Sequence, residues 1–315
     1  MLVLTKKKWQ KNALVDQSVK GILQVLAILS ASFIFVIAGV IIVKGITPFI
    51  TTNGGLGAVP LIPFLTGNTW LIGPTFQSNL YSVGFIIIQT IYVVFLSLMI
   101  SFPVGVLTAL FIAKIAPKKL AELLRTVVEM LASIPSIIYG LFGAGVILQI
   151  VYDFSSLFGY QSKGGNSVLS AIIILALMTI PTITTVSEVA IRSVDKTLIH
   201  GSLALGASPT QTNFKVVLAA AKSGIFTSAI LGVGRALGEA TAISLVSGGR
   251  RSGLSFHLLD TTSTLTTTML EGMKESAGLD YDIRFSVGIV LMIVILLTNF
   301  TLNFIKRKVG NVHVK

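Results

Sequence analysis

Two ionisable residues four positions apart interrupt an apolar stretch of this chain. They are Arg235 and Glu239, in Leu231-Gly232-Val233-Gly234-Arg235-Ala236-Leu237-Gly238-Glu239. The surrounding run, about 223–247, is long enough as a helix to cross a bilayer. Arg235 would then lie near its middle, roughly 18 Å from either end at ~1.5 Å of rise per residue. A charge at that depth costs on the order of 3 kcal/mol, which makes a functional role the default expectation. The favourable partner of a guanidinium there is an anion, whose oxygens it matches with forked hydrogen bonds. Glu239, one turn on, has two readings: it neutralises Arg235 within the helix, or it competes with a passing anion so that the anion is not trapped. Glu129, at the end of the third apolar run, is a second acid for this set, with an interfacial position as its alternative. Gly234 and Gly238 have small-xxx-small spacing, which predicts close approach of another helix beside Arg235.

The elements that must position these residues follow from composition. Of 315 residues, 53% are hydrophobic and 11% charged, with mean hydropathy +0.88, against about 25% charged in soluble domains. Continuous apolar runs of this length predict an all-α, polytopic membrane protein. A barrel would need short alternating strands. Six spans are predicted, at about 21–43, 85–113, 127–151, 168–188, 223–247 and 285–305. There is no cysteine and only three scattered histidines, so disulfides and thiolate sites are excluded and no metal site is expected.

The net charge of +12 invites a nucleic-acid reading, but its distribution follows the spans. Of the 24 basic residues, seventeen fall on the side of the N-terminus, the second and fourth loops and the tail; six fall on the other side, and Arg235 is the remaining one. By the positive-inside rule both termini are cytoplasmic. The first apolar run exceeds the 7–15 residues of a signal-peptide core, so it reads as a retained span. The chain then divides into a basic cytoplasmic segment 1–20, a first transmembrane helix 21–47, an outer loop 48–84, a five-helix core 85–305 and a basic tail 306–315. The outer loop 48–84 reads as an ordered cap, being apolar as well as rich in Gly and Pro. The second outer loop, 248–284, predicts a short helix capped near Thr261 to Thr264.

Pro103, Pro135 and Pro181 predict kinks within spans, with Ser101, Ser133, Thr179 and Thr182 at hand for the freed carbonyls. Glu188 and Arg192 form an i,i+4 pair at a membrane edge, a structural feature. The fourth loop, 189–222, predicts a cytoplasmic helix–turn–helix elbow. Gly206 stops the first helix, Ser208 caps the second, Pro209 takes its first position and Gln211 completes a capping box. Leu203, Leu205, Val216 and Val217 would be left exposed for a partner, or for lipid headgroups.

The elbow resembles the cytoplasmic loop of ABC-importer permeases, whose pattern is Glu-Ala-Ala, three residues, Gly, nine residues, Ile, any, Leu-Pro. Gly206 falls on the glycine, His200, Gly201 and Ser202 on Glu-Ala-Ala, Val216 and Leu218 on Ile and Leu, and Ala219 replaces the Pro. Three further stretches are similar to phosphate-specific permeases of PstC type: 129–143 (Glu129 through Ile134-Pro135-Ser136 to Gly143), 204–207 with 231–239, and Pro63-Phe64-Leu65-Thr66-Gly67-Asn68-Thr69-Trp70. The resemblance covers about 60–305. It implies a type I ABC-importer (MetI-like) architecture in a bacterial or archaeal cytoplasmic membrane, with Arg235 and Glu239 as the family's intramembrane charges. Ser202, Leu203, Ala204, Leu205, Gly206, Ala207 and Ser208 would couple to the ATPase. The implied partners are a second permease (PstA type), two ATPase subunits (PstB type) and an external phosphate-binding protein (PstS type).

No Gly-Lys dipeptide occurs, so no Walker A loop can be written; His-Glu-x-x-His and Gly-x-Ser-x-Gly are also missing from the sequence. The chain reads as a transport subunit that binds no cofactor itself, with ATP and magnesium on the partner ATPase. The alternatives are a sulfate or molybdate permease, a passive anion channel with Arg235 in its wall, and a membrane enzyme such as a lipid-phosphate transferase. The elbow argues against the channel. The scarcity of acids and histidines within the spans argues against the enzyme.

Overall fold

A computed structural model describes residues 2–71, 80–160 and 162–310, with side chains for those between 16 and 308. Residues 72–79 of the predicted cap and 311–315 of the tail lie outside them. Among the described residues six helical segments are long and apolar enough to cross a membrane: Asp16–Ile50, Gly84–Ile115, Ser136–Leu157, Val168–Arg192, Pro209–Gly238 and Leu279–Lys308. The all-α, six-span expectation therefore holds, but two of the six predicted spans have a different construction.

The first helix, α1 (Leu2–Ile50), runs well past its predicted span at both ends. After a short α2 (Leu61–Thr66), α3 (Gly84–Leu110) crosses the molecule and ends in a π-helical turn over Phe111–Ile115. The predicted third span, 127–151, is the first correction. Residues 118–133 form a separate amphipathic helix, α4 (Lys118–Ser133). The chain then breaks at Ile134, which is extended at φ −64°, ψ 125°, because the following Pro135 disfavours the helical region for it. The span itself consists of α5 (Ser136–Phe142), a π-helical turn and α6 (Leu148–Leu157).

Helix α7 (Val168–Arg192) is the central rod, capped by Ser167, whose hydroxyl accepts from the Ser170 amide. Its neighbours are small where they must be close. A Cβ on Gly105 of α3 would stand 2.7 Å from Ile183. The elbow consists of α8 (Lys196–Ala204) and α9 (Pro209–Gln211). Gly206 has φ +83°, and the Ser208–Gln211 capping box has both of its bonds, as the turn chemistry predicts. Leu205 is 90% exposed, but Val217 is fully buried. That corrects the expected apolar surface: the π-helical turn over Thr212–Val217 rotates Val217 into a cluster with Ile183, Ile191 and Val194, leaving Phe214 outside.

The second correction concerns the predicted continuous span 223–247. Helix α10 (Leu218–Gly238) ends at Glu239, which is extended at φ −77°, ψ 122°, and a four-residue α11 (Thr241–Ser244) resumes the path. Beyond it, α12 (Leu265–Leu270) is capped by Thr264 and buries Thr266, Thr267 and Thr268. Helix α13 (Leu279–Gly310) closes the chain and packs on α1, where the Ser286 hydroxyl donates to the Gly45 carbonyl at 2.6 Å. At the end opposite the elbow, the described part of the cap hooks onto the second outer loop: the Trp70 amide donates to the Arg251 carbonyl and the Gly253 amide to that of Asn68, both at 2.8 Å.

Candidate functional site

The antiparallel contact of α7 and α10 sets the depth of Arg235. Ala190 lies against Gly224 and Ile183 against Gly232, and the hydroxyls of Ser187 and Ser228 meet at 2.8 Å. The next pairing along this ladder is polar: Arg235 Nη1 donates to Thr182 Oγ1 at 2.8 Å. Thr182 is fourteen residues after Val168 and ten before Arg192, roughly 21 Å and 15 Å along the axis. The guanidinium thus sits midway along α7, although Arg235 occupies the last turn of α10 and not the centre of a continuous helix. Two glycines and a competing hydrogen-bond network let the helix stop there. Thr266 Oγ1 of α12 donates to the Glu239 carbonyl at 2.7 Å, and Glu239 Oε1 accepts from the Ala242 amide and from Thr241 Oγ1, both at 3.0 Å.

Glu239 therefore does not pair with Arg235. Among the described residues no ion pair includes either side chain. The carboxylate instead holds the start of α11 and, through Thr241, reaches the other broken span: Thr241 Oγ1 and Ser136 Oγ are 2.9 Å apart. The breaks at Pro135 and Glu239 thus meet. Tyr139 fixes the angle of the first by donating to the Leu131 carbonyl at 2.8 Å across it, and Gly140 lets α5 press on Ala242 and Leu245.

Within this chain no helix approaches the predicted packing glycines. A Cβ at Gly234 or Gly238 would meet nothing within 4 Å, whereas one at Gly224 would stand 2.4 Å from Ala190. Gly234 and Gly238 thus line an open face of α10 beside Arg235, and the close approaches are at Gly224 and Gly232. Glu129 is exposed on α4, one turn beyond Arg125. The hydrogen bond to Glu188 and that carboxylate's charge hold Arg125 above its ordinary range, and the nearby Glu129 adds a smaller contribution. A cavity of about 550 Å³ opens on the cap side of α11, lined by Ser244, Ser247, Arg251, Thr267 and Glu271 among others. Among the described residues no cluster of His, Asp and Glu could hold a metal.

Residues 101–310 match the family model described as the binding-protein-dependent transport system inner membrane component. The chain belongs to this family. The permease is 36% identical over 271 residues to the probable ABC transporter permease protein YqgH of Bacillus subtilis, covering 85% of this chain and 84% of that one. It is 31% identical over 287 residues to the phosphate transport system permease protein PstC 1 of Mycobacterium tuberculosis, covering 81% and 85%. In fold it is similar to a chain of the inward-facing MetNI methionine ABC transporter (TM-score 0.52, 23% identity, 72% of this chain and 94% of that one). It is also similar to a chain of a bacterial alginate ABC transporter (TM-score 0.53, 20% identity, 72% and 78%).

Sequence reasoning found Arg235 and Glu239 but missed what holds them. Thr182 stood only as a donor for a backbone carbonyl freed near Pro181, and Ser136, Thr241 and Thr266 were not singled out. One signal was available for Thr182: a hydroxyl at mid-depth of an apolar span, where an arginine of a neighbouring span needs an acceptor.

Proposed function

We propose that this permease is a subunit of an ATP-driven importer of inorganic phosphate, forming the translocation pathway with a second permease of PstA type. Two ATPase subunits, carrying ATP and magnesium, act on the elbow, and an external phosphate-binding protein delivers the anion at the cap end. Both termini are then cytoplasmic, in the plasma membrane of a bacterium or archaeon. One observation carries this reading: Arg235 stands at mid-depth on an open helix face, with a neutral hydroxyl as its partner and, among the described residues, no ion pair to a carboxylate. A guanidinium that keeps free donors toward an open helix face at this depth is built to receive an oxyanion. The relatives named for phosphate transport point to which oxyanion. Glu239, bound to the start of α11, keeps that segment in place while the anion passes.

The elbow suits the coupling role. A groove of about 440 Å³ beside exposed Leu205, lined also by Leu198, Gly201, Ala207 and Val216, offers an apolar seat to a partner chain. The test is uptake of labelled phosphate by the four-component transporter in proteoliposomes. ATP-dependent phosphate accumulation is expected, with loss in Arg235→Ala while the complex still assembles. Normal uptake by that variant overturns the site. Accumulation of sulfate or molybdate instead reassigns the anion, and ATP-independent flux would mark a passive channel.

A further inference from the structure

The Glu188 side chain is 7% exposed, and its carboxylate joins three elements at the elbow end of the bundle. Arg125 Nη2 of α4 donates to Glu188 Oε1 at 2.6 Å and Arg192 Nε at 2.7 Å, and Arg192 also reaches the Ile112 carbonyl at the end of α3. Two residues beyond Arg192 the chain passes through Val194, packed with Val217, into Asp195, the cap of the first elbow helix. The clasp thus stands directly behind the elbow. Its other arm is α4, which runs eight residues from Arg125 to its end at Ser133, roughly 12 Å, and across the bend at Ile134 and Pro135 the chain reaches Ser136 at the start of α5. Ser136 touches Thr241, and Thr241 touches Glu239. The joint between α4 and α5 is braced by Tyr139, so a displacement of α4 moves Ser136 with it.

We infer that the Arg125–Glu188–Arg192 clasp makes α4 a lever, carrying movement of the elbow to the paired helix breaks beside Arg235, and that Arg125 and Glu188 are positioning residues for transport. Coupling between separated sites needs a contiguous path of rigid elements that both sites bias. Here the path is a short charge-assisted joint, one helix, one braced bend and one hydroxyl contact. Among the described residues the clasp is the one hydrogen-bonded side-chain joint that ties α4 to another element at the elbow end, and the outer face of α4, including Leu123 and Met130, is exposed. The inference rests on the importer reading for what drives the elbow, but not on which anion crosses.

Two measurements test it in the complete transporter. Spin labels at Met130 of α4 and Lys196 of the elbow should keep a constant separation between the nucleotide-free and ATP-bound states, and Arg125→Gln should make that separation state-dependent. In parallel, Arg125→Gln should retain ATP hydrolysis while the ratio of phosphate moved to ATP consumed falls about tenfold. Arg125→Lys should restore most of that ratio. A wild-type separation that changes between nucleotide states, or an unchanged transport ratio in Arg125→Gln, overturns the lever. Constant separation in a transporter that moves no phosphate would overturn the anion assignment and leave the lever standing.

Discussion

Two charged sites lie six residues apart along α7, and they are built oppositely. At Glu188 one carboxylate receives two guanidiniums and is nearly sealed from solvent. At Thr182 one guanidinium receives a single neutral hydroxyl and faces an open helix surface. Removing either charge from water is expensive, but the expense is met differently. In the first site protein groups supply every counter-charge, so the site is mechanically useful and closed to solutes. In the second the protein leaves part of the guanidinium's hydrogen-bonding capacity unused, which is tolerable only where something else fills it. The pattern of saturation separates a joint from a binding site better than burial or charge does.

The strongest way to break this comparison is Arg235→Ala. Loss of two forked, charge-assisted bonds, each about 1.5–3 kcal/mol, should lower the rate of phosphate uptake by on the order of a hundredfold or more. Arg235→Lys, with one compact charge in place of a planar fork, should recover only part of the loss. Thermal melting of the assembled complex should barely change, because Arg235 makes no ion pair among the described residues. A large drop in melting temperature would place Arg235 among the joints.

At the saturated site the ranking reverses. Glu188→Ala leaves two guanidiniums facing each other at the elbow end, and should destabilise the permease by about 2 kcal/mol. A buried pair would lose about 3–5 kcal/mol, but the two arginine side chains are 38% and 45% exposed, and solvent screening reduces the loss. Unfolding in a mild detergent, compared with wild type, reads this directly.

The sequence made the inventory of charges legible but not their connections. Arg235, Glu239, Glu188 and Arg192 stand out because polar residues are rare in apolar runs. The elbow could be drawn to the residue because Gly206, Ser208, Pro209 and Gln211 act locally, each on its own turn. What could not be read was set by distant groups. The stop at Glu239 depends on a carbonyl bond from Thr266, twenty-seven positions on, and an apolar run gives no sign of it. The open faces of Gly234 and Gly238 and the buried Val217 depend on which way α10 is turned, and a π-helical turn before it resets that rotation. Arg125 was counted as a loop charge because the run 118–133 was divided between a loop and a span. Its amphipathic pattern marks a separate helix.

A smaller effect comes from the packing between the two sites. Gly224→Val should push α7 and α10 apart, since even a Cβ there stands 2.4 Å from that of Ala190. Overpacking of this kind costs about 1–3 kcal/mol and should also lower uptake by misplacing Thr182 against Arg235. Gly234→Ala, into open space within this chain, should leave the melting of the isolated permease unchanged. If it abolishes uptake in the full transporter, the open face belongs to the pathway or to the second permease. Thr182→Val, which takes the acceptor from Arg235 without touching the charge, should raise the KM for uptake several-fold, in keeping with about 1 kcal/mol for one hydrogen bond.

A third charged cluster, at the cap end, tests whether saturation matters without burial. Asp260 accepts from Ser255 at 2.6 Å, from Tyr160, and from Arg250 at 3.3 Å, and the Ser255 bond, followed by that of Tyr160, holds its carboxyl below the usual carboxylate range. It is as fully partnered as Glu188 but lies in partly exposed loops. A depressed folded pKa contributes stability that is whole above the unfolded value, about 3.9, and is lost as pH falls through the folded one. The contacts joining residues 250–260 to Tyr160 should therefore persist from neutral pH down to about pH 4 and loosen below it. Asp260→Asn should be equally loose across that range. Protease nicking within 250–260, followed from pH 6 to pH 3 with an acid-active enzyme, reads the difference, and a wild-type loop equally resistant at pH 3 would show that the Asp260 charge does not hold this loop. Because solvent screens this cluster, its loss should leave the melting of the bundle nearly unchanged, unlike the loss of Glu188, so saturation makes a joint only where water is also excluded.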